Sequence, residues 1–437
     1  MQRSSGLVVW VVLVMSLMAT TFVCGTNTPE QELEFLRAKV RQFYPRMAPE
    51  KAEAFAQAIL AIAEKQAFID LQSTDSVEEL DVNFDCKVYW PSFLPPDKAK
   101  NLRPADIEVL GALGDRHATE GPLHPFLSTL ALTAGFGAKA ATVYNLFTDF
   151  RGVSYAIGGD KPAEGKLTTL GSILREYNPR IKGLSTGEGD IESAGANSTS
   201  PSPEPSSRAR TTTHGTFKYL PGQVKNFTKR LRSNLGLIHY HTDWKMVSIL
   251  IGHNNLCDFC VDPVENGPET FGRLLEESID LLYAQVPRLF VNLLSPIDVS
   301  ILSTFSSYGQ CGFWHSYLCP CAVAGPDALK ALAQAHEGYF REIERIVGLP
   351  KYQTRGDFAL VLQPFLKDTV IPTKPDGQPD DSYFAPDCFH FSEKSHQAAG
   401  VALWNNLISP AQAKQHTWSP GEPIKCPAKG SVLPTSA

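Results

Sequence analysis

Ile107-Glu108-Val109-Leu110-Gly111-Ala112-Leu113-Gly114-Asp115 decides the fold. It is a short, nearly unbroken apolar run that stops at a Gly-Asp turn, the pattern of a strand buried on both faces. Met246-Val247-Ser248-Ile249-Leu250-Ile251 repeats it and stops at Gly252-His253-Asn254-Asn255. Leu289-Phe290-Val291-Asn292-Leu293-Leu294 is a third such run, and Phe358-Ala359-Leu360-Val361-Leu362 a candidate fourth. Between and after these runs, residues 137–150, 268–286 and 326–347 read as helices. Ser392 predicts a cap for a last helix through Leu407, because its hydroxyl can accept a bond from a first-turn amide. Strands alternating with helices imply a largely parallel sheet covered on both faces, with the site outside the carboxyl ends of its strands. Gly114-Asp115, residues 252–255 and the loop bearing Asp387 and His390 are expected to meet there. Residues 30–46 and 49–72 carry apolar side chains at helical spacing and predict a helical lead-in ahead of the sheet.

The 437 residues are 43% hydrophobic and 20% charged, an ordinary globular composition. The net charge of -6 excludes nucleic acid or a strongly anionic surface as a charge-driven partner, and leaves neutral or zwitterionic lipid open. Residues 1–25 read as a signal peptide, with Arg3, an apolar stretch over 7–19 and a small-residue cleavage site at Val23-Cys24-Gly25. Secretion is therefore expected, with peripheral contact at membrane surfaces left open, and no later apolar run is long enough for a transmembrane segment in the mature chain. Without Cys24 the cysteines form an even set suited to disulfides. Cys257-Asp258-Phe259-Cys260 lacks a second ligand pair at zinc spacing, so a local disulfide is expected there rather than a metal. Asn197-Ser198-Thr199 and Asn226-Phe227-Thr228 are glycosylation acceptors in a secreted chain. These signals divide the chain into a leader (1–25), a helical lead-in (26–100), a main domain (101–426) and a disordered tail (427–437).

Longer blocks carry a family resemblance. Leu102-Arg103-Pro104-Ala105-Asp106-Ile107 and Gly111 to Asp115 open it, and Leu132-Thr133-Ala134-Gly135 continues it. It goes on through Phe150-Arg151-Gly152-Val153-Ser154-Tyr155-Ala156-Ile157-Gly158-Gly159-Asp160, Leu220-Pro221-Gly222-Gln223-Val224, residues 251–260 and residues 384–406. Together they resemble the phospholipase B-type lipases of the GDSL/SGNH ester hydrolases. The resemblance implies a three-layer α/β/α, flavodoxin-like fold with a parallel sheet. It also implies hydrolysis of phospholipid, lysophospholipid or other acyl esters, with neither cofactor nor metal. In that chemistry a serine attacks the ester carbonyl, a histidine takes its proton, an aspartate fixes the imidazole, and amides cradle the oxyanion.

Carried over residue by residue, the resemblance makes Asp387 and His390 the aspartate–histidine pair and Asn254 an oxyanion donor. His253 and Asn255 depart from the family's pattern on either side of it. Gly195, in Asp190-Ile191-Glu192-Ser193-Ala194-Gly195-Ala196, is a weak oxyanion candidate, whereas Gly158 and Gly159 read as turn residues. The nucleophile is missing. Arg116 follows Asp115 where the serine belongs, and an arginine that stays protonated cannot replace it. Ser128 lacks the Leu-Thr-Ala-Gly that should follow a nucleophile. Two insertions, 116–131 and the Ser/Thr/Pro-rich 197–213, break the pattern at catalytic blocks, and the second is too poor in apolar residues to order itself. Non-coding sequence joined into the chain would produce this, and so would divergence to a secreted, catalytically inactive pseudoenzyme that binds lipid or a protein partner.

Overall fold

The computed structural model describes residues 28–43, 47–70, 82–115, 135–189, 216–233, 237–305 and 309–435. The chain divides into two compact units: residues up to 76 with 142–144, and the remainder from 77 onward. The first contains a helical hairpin, α1 (Pro29–Phe43) and α2 (Pro49–Asp70), matching the expected lead-in. The leader and both insertions lie outside the described residues.

The second unit is built on four strands, β1 (Ile107–Gly114), β2 (Trp244–Leu250), β3 (Leu289–Leu294) and β4 (Phe358–Gln363). All pair in parallel and in chain order. On the free side of β1, Lys182 makes one parallel bridge: its amide donates to Glu108 O at 2.9 Å and its carbonyl accepts from Leu110 N at 2.8 Å. Counted as a rudimentary second strand, this bridge gives the 2-1-3-4-5 order of flavodoxin-like folds.

Strand side chains alternate between two apolar layers. Leu110, Ala112, Met246, Leu250, Phe290 and Leu294 pack with α3 (Leu170–Tyr177) and α9 (Glu393–Leu407). Val109, Leu113, Val247, Ile249, Val291 and Leu293 pack with α4 (Leu220–Ser233), α6 (Pro268–Gln285) and α8 (Pro326–Val347). The sheet is thus sandwiched between helices, the expected three layers. Ser392 caps α9 as its sequence predicts, its hydroxyl accepting from Ser395 N. Two further α-helices among the described residues are α5 (His253–Cys257) and α7 (Cys311–Leu318).

Three expectations need correction. Residues 137–150 do not form a helix. Gly135 and Gly137 both take φ of 66° and turn the chain back, so that Phe136 bridges Asp149 in antiparallel fashion and only Asn145–Phe147 forms a 3₁₀ turn. The lead-in does not reach residue 100: Val82, Cys86, Ala99 and Leu102 already belong to the core around the sheet. The stretch from 91 to 104 holds four prolines and no periodicity, so nothing local betrays that attachment. The tail is not loose over its described length either, since Leu433 is buried and its amide donates to Leu102 O at 2.7 Å. Cys86–Cys426 joins the two ends of this unit.

The Lys182 bridge depends on Gly183. Its φ is 89°, and a Cβ there would stand 2.0 Å from Leu110 O. Gly183→Ala should cost about 2 kcal/mol or more, read as a lower urea midpoint at unchanged slope. A variant as stable as the parent would mean that this edge of the sheet contributes nothing.

Candidate active site

Asp115, just past β1, is buried and forms the floor of the site. Its carboxylate accepts from Gly252 N at 3.0 Å, from His253 N at 2.8 Å and from His253 Nδ1 at 3.0 Å. Ile297 N donates to His253 Nε2 at 3.0 Å, which places the ring proton on Nδ1. One imidazole therefore ties together the chain leaving β1, β2 and β3. Behind this turn Gln223 of α4 satisfies Gly114 in both directions. Its Oε1 accepts from Gly114 N at 2.9 Å and its Nε2 donates to Gly114 O at 2.7 Å.

The second half of the site is the Asp-x-x-His loop. Asp387 is fully buried, and its Oδ2 accepts from His390 Nδ1 at 2.6 Å. Its Oδ1 accepts from the amides of Phe389 and His390, each at 3.0 Å. Burial by itself would raise the Asp387 carboxyl. The charge of His390 and these hydrogen bonds outweigh it and hold the group below its usual range. With Nδ1 committed to Asp387, Nε2 is the His390 nitrogen left to accept a proton. Phe136 packs on the ring, centroids 4.7 Å apart. Cys388, between the pair, sits in the left-handed region at φ 55° and is held from both sides. It forms a disulfide with Cys311 of α7, and its carbonyl accepts from His315 Nε2 at 2.9 Å.

Asp115, His253, Asn254 and His390 line one cleft whose other walls are apolar, among them Ile297, Leu302, Phe384 and Trp418. The excursion after β3, from Ile297 to Leu302, supplies one of those walls. Three disulfides fasten the chain beyond it: Cys257–Cys319 and Cys260–Cys321 to the Asn254 side, and Cys311–Cys388 to the His390 side. This corrects the local Cys257–Cys260 disulfide expected from sequence. Each of these two cysteines faces one of Cys319 and Cys321, a pairing that only tertiary proximity creates. The arrangement can hold an apolar chain beside a histidine base and an amide donor. Among the described residues no cluster of side chains suited to hold a metal ion occurs.

Asp387, His390 and Asn254 are thus brought to one cleft. Gly195 and Arg116 lie outside the described residues. Gly158 and Gly159 behave as turn residues, their amides donating to Ser154 O and Ser185 O at 2.8 Å each. Sequence reasoning missed Gln223, although it stands inside a quoted family-like block. It also took His253 and Asn255 only as departures. Asn255 is structural, accepting from Phe217 N at 3.1 Å and donating to Asn266 Oδ1 at 2.7 Å.

The family model for GDSL-like Lipase/Acylhydrolase matches residues 131–403, well over half of the chain. The chain belongs to this family. The match begins after β1, so the Gly114-Asp115 turn lies ahead of it. Relatives of this chain include the human "Phospholipase B1, membrane-associated", 36% identical over 77% of this chain. The mouse and rat proteins of the same name are 33% and 34% identical over 80% of it. Between 22% and 23% of each relative is covered, so the chain spans less than a quarter of their length.

The geometry of this site can be tested at two residues. Asp115→Ala would strand two buried amides and a buried imidazole, and should cost about 2–4 kcal/mol in urea unfolding. A loss under half of that would show that the carboxylate is not the tie between β1 and β2. The second is His396 in α9, which is buried, accepts from Tyr155 N at 3.3 Å and stacks on that ring. Burial, with a smaller push from the charge of His390, lowers it to about 3. Because its folded pKa lies below its unfolded one, its contribution is complete above about pH 6.5 and lost as pH falls toward 3. His315, also lowered by burial, acts in the same direction. Stability should fall by up to about 1.4 kcal/mol per pH unit per histidine, and His396→Phe should remove one histidine's share. An unchanged slope in that variant would refute the assignment.

Proposed function

We propose that the α/β unit is a phospholipase B-type acyl-ester site that takes phospholipids, lysophospholipids or other acyl esters, and that turnover is impaired in this chain. The observation that carries the reading is the Asp387–His390 pair opening onto the same apolar cleft as Asp115 and Asn254, while the residue after Asp115 is Arg116. The apolar walls suit an acyl chain, His390 suits a general base, and Asn254 suits an oxyanion donor. The position directly after Asp115, where the serine of that chemistry would stand, is Arg116 and offers no hydroxyl. The names of the relatives support phospholipid esters as the substrate class. The leader at 1–25, the paired cysteines and the two glycosylation acceptors support an extracellular location. Asn254 and, by resemblance alone, Gly195 serve as oxyanion donors in this proposal.

A second reading, a secreted pseudoenzyme that binds lipid or a protein partner without turnover, is favoured by Arg116. Hydrolysis of a lysophospholipid and a short-chain ester separates the two when four proteins are compared: the unaltered chain, a repaired chain, and His390→Ala in each. The unaltered chain should give no rate above background and no labelling by a serine-reactive phosphonate. Replacing 116–131 by one serine restores Gly114-Asp115-Ser-Leu132-Thr133-Ala134-Gly135. It should bring back both labelling and turnover, and His390→Ala in that background should abolish turnover. The restored serine amide alone is worth roughly 10²–10³ in rate. A repaired chain that stays inert supports the pseudoenzyme. Turnover by the unaltered chain that is lost in His390→Ala would reveal another nucleophile and overturn both readings.

A further inference from the structure

The segment following Cys86 carries the least explained surface of the α/β unit. Trp90, Phe93 and Leu94 fall within five positions and are 81%, 97% and 76% exposed, with Val88 exposed beside them. Large apolar side chains left exposed this close together along the chain mark a contact site. Their backbone is firmly held. Asp106 accepts from Ser92 N at 2.6 Å and from Ser92 Oγ at 3.0 Å, while Arg103 donates to Trp90 O at 3.1 Å and to Ser92 Oγ at 2.7 Å. The side chains are therefore presented outward on a fixed frame, with little order left to acquire on binding.

Chemistry selects the occupant. The patch protrudes from an irregular loop rather than lining a groove, and it combines an indole with a phenyl ring and an aliphatic chain. Indole and its neighbours favour the boundary between acyl chains and headgroups. Exposed Lys87, Lys98 and Lys100 precede and follow it along the chain and suit headgroup phosphates. Of the nearby acids, Asp97 is engaged by Arg288 at 2.7 Å, and exposed Asp85 remains to face a choline. We infer that Trp90, Phe93 and Leu94 form an anchor that inserts into the interface of a zwitterionic phospholipid bilayer.

The anchor stands at the end of the sheet away from the cleft. Pro96 O accepts from Trp244 Nε1 at the start of β2, and Ala99 N donates to Gly356 O just ahead of β4. A protein held this way turns its cleft from the membrane toward water. It would meet lipids that arrive dispersed or in micelles rather than those of the bilayer that holds it. The inference does not depend on turnover at His390.

Tryptophan fluorescence tests it directly. Trp244, Trp314, Trp404 and Trp418 are buried and Trp10 lies in the leader, so Trp90 is the exposed reporter of the secreted chain. Phosphatidylcholine vesicles should shift its emission to the blue, and bromine-labelled phosphatidylcholine should quench it. Changing Trp90, Phe93 and Leu94 together to serine should lower partitioning about a hundredfold or more while leaving the melting temperature in place. Absence of quenching in the unaltered protein, which needs no variant to fold, overturns the proposal. So does equal vesicle binding by the variant. Self-association that the variant loses, with vesicles unbound, would assign the patch to a second copy of the chain and likewise overturn it.

Discussion

A buried carboxylate at the end of the first strand sets the terms for the rest of this site. Asp115 would be expensive to keep charged in the core without partners. It gathers two amides and an imidazole from the turn after β2. That choice fixes where the strand ends lie relative to one another, and it also uses up donors. The amides of Gly252 and His253 are committed to Asp115 and cannot also cradle an oxyanion, while Asn254 of the same turn lines the cleft. The same residue that organises the strand ends therefore restricts which neighbours can do chemistry there.

The histidine at 253 shows how a departure from a family pattern can be a compensation. An imidazole donating at Nδ1 and accepting at Nε2 can span two strand ends. A glycine in its place could supply only its amide. Asn255 likewise spends both ends of its side-chain amide on neighbouring loops. Gln223 does so from a helix, holding Gly114 as an adjacent strand would. The Gly114-Asp115 turn is thus kept in shape by Gln223 and His253, and the loops beside it by Asn255, side chains whose shared property is a donor and an acceptor on one rigid planar group.

Much of the fold was legible because strands covered on both faces must be nearly continuous apolar runs, as residues 107–113, 246–250 and 289–294 are but for Glu108, Ser248 and Asn292. The cap at Ser392 was legible because it is local. What escaped was whatever depends on partners distant in sequence. Cys257 and Cys260 look like each other's partners along the chain and are not. Ser248 and Asn292 look like imperfections in apolar runs. They belong to a buried polar line in which Asn292 Nδ2 donates to Ser248 Oγ at 3.4 Å, Gln363 Nε2 donates to Asn292 Oδ1 at 2.8 Å, and Lys414 Nζ donates to Gln363 Oε1 at 2.7 Å. Burial at the end of that line lowers Lys414 to about 7. The turn at Gly135 and Gly137 defeated a helical reading because two left-handed residues override the spacing that follows them. At the site, the Asp-x-x-His loop could be read from its block. The apolar wall after β3 could not, because its residues join the cleft only through the path of the chain.

Cys86–Cys426 spans 340 positions, so the α/β unit is topologically a closed covalent loop from the start of its core to near its end. Cutting one peptide bond opens a ring without detaching anything from it. A protease that finds a single susceptible bond between these two cysteines would leave a molecule of almost unchanged mass, with Asp115 and His390 still on one covalent body. Only reduction would reveal the nick as two fragments. Such a ring separates being cut from being taken apart.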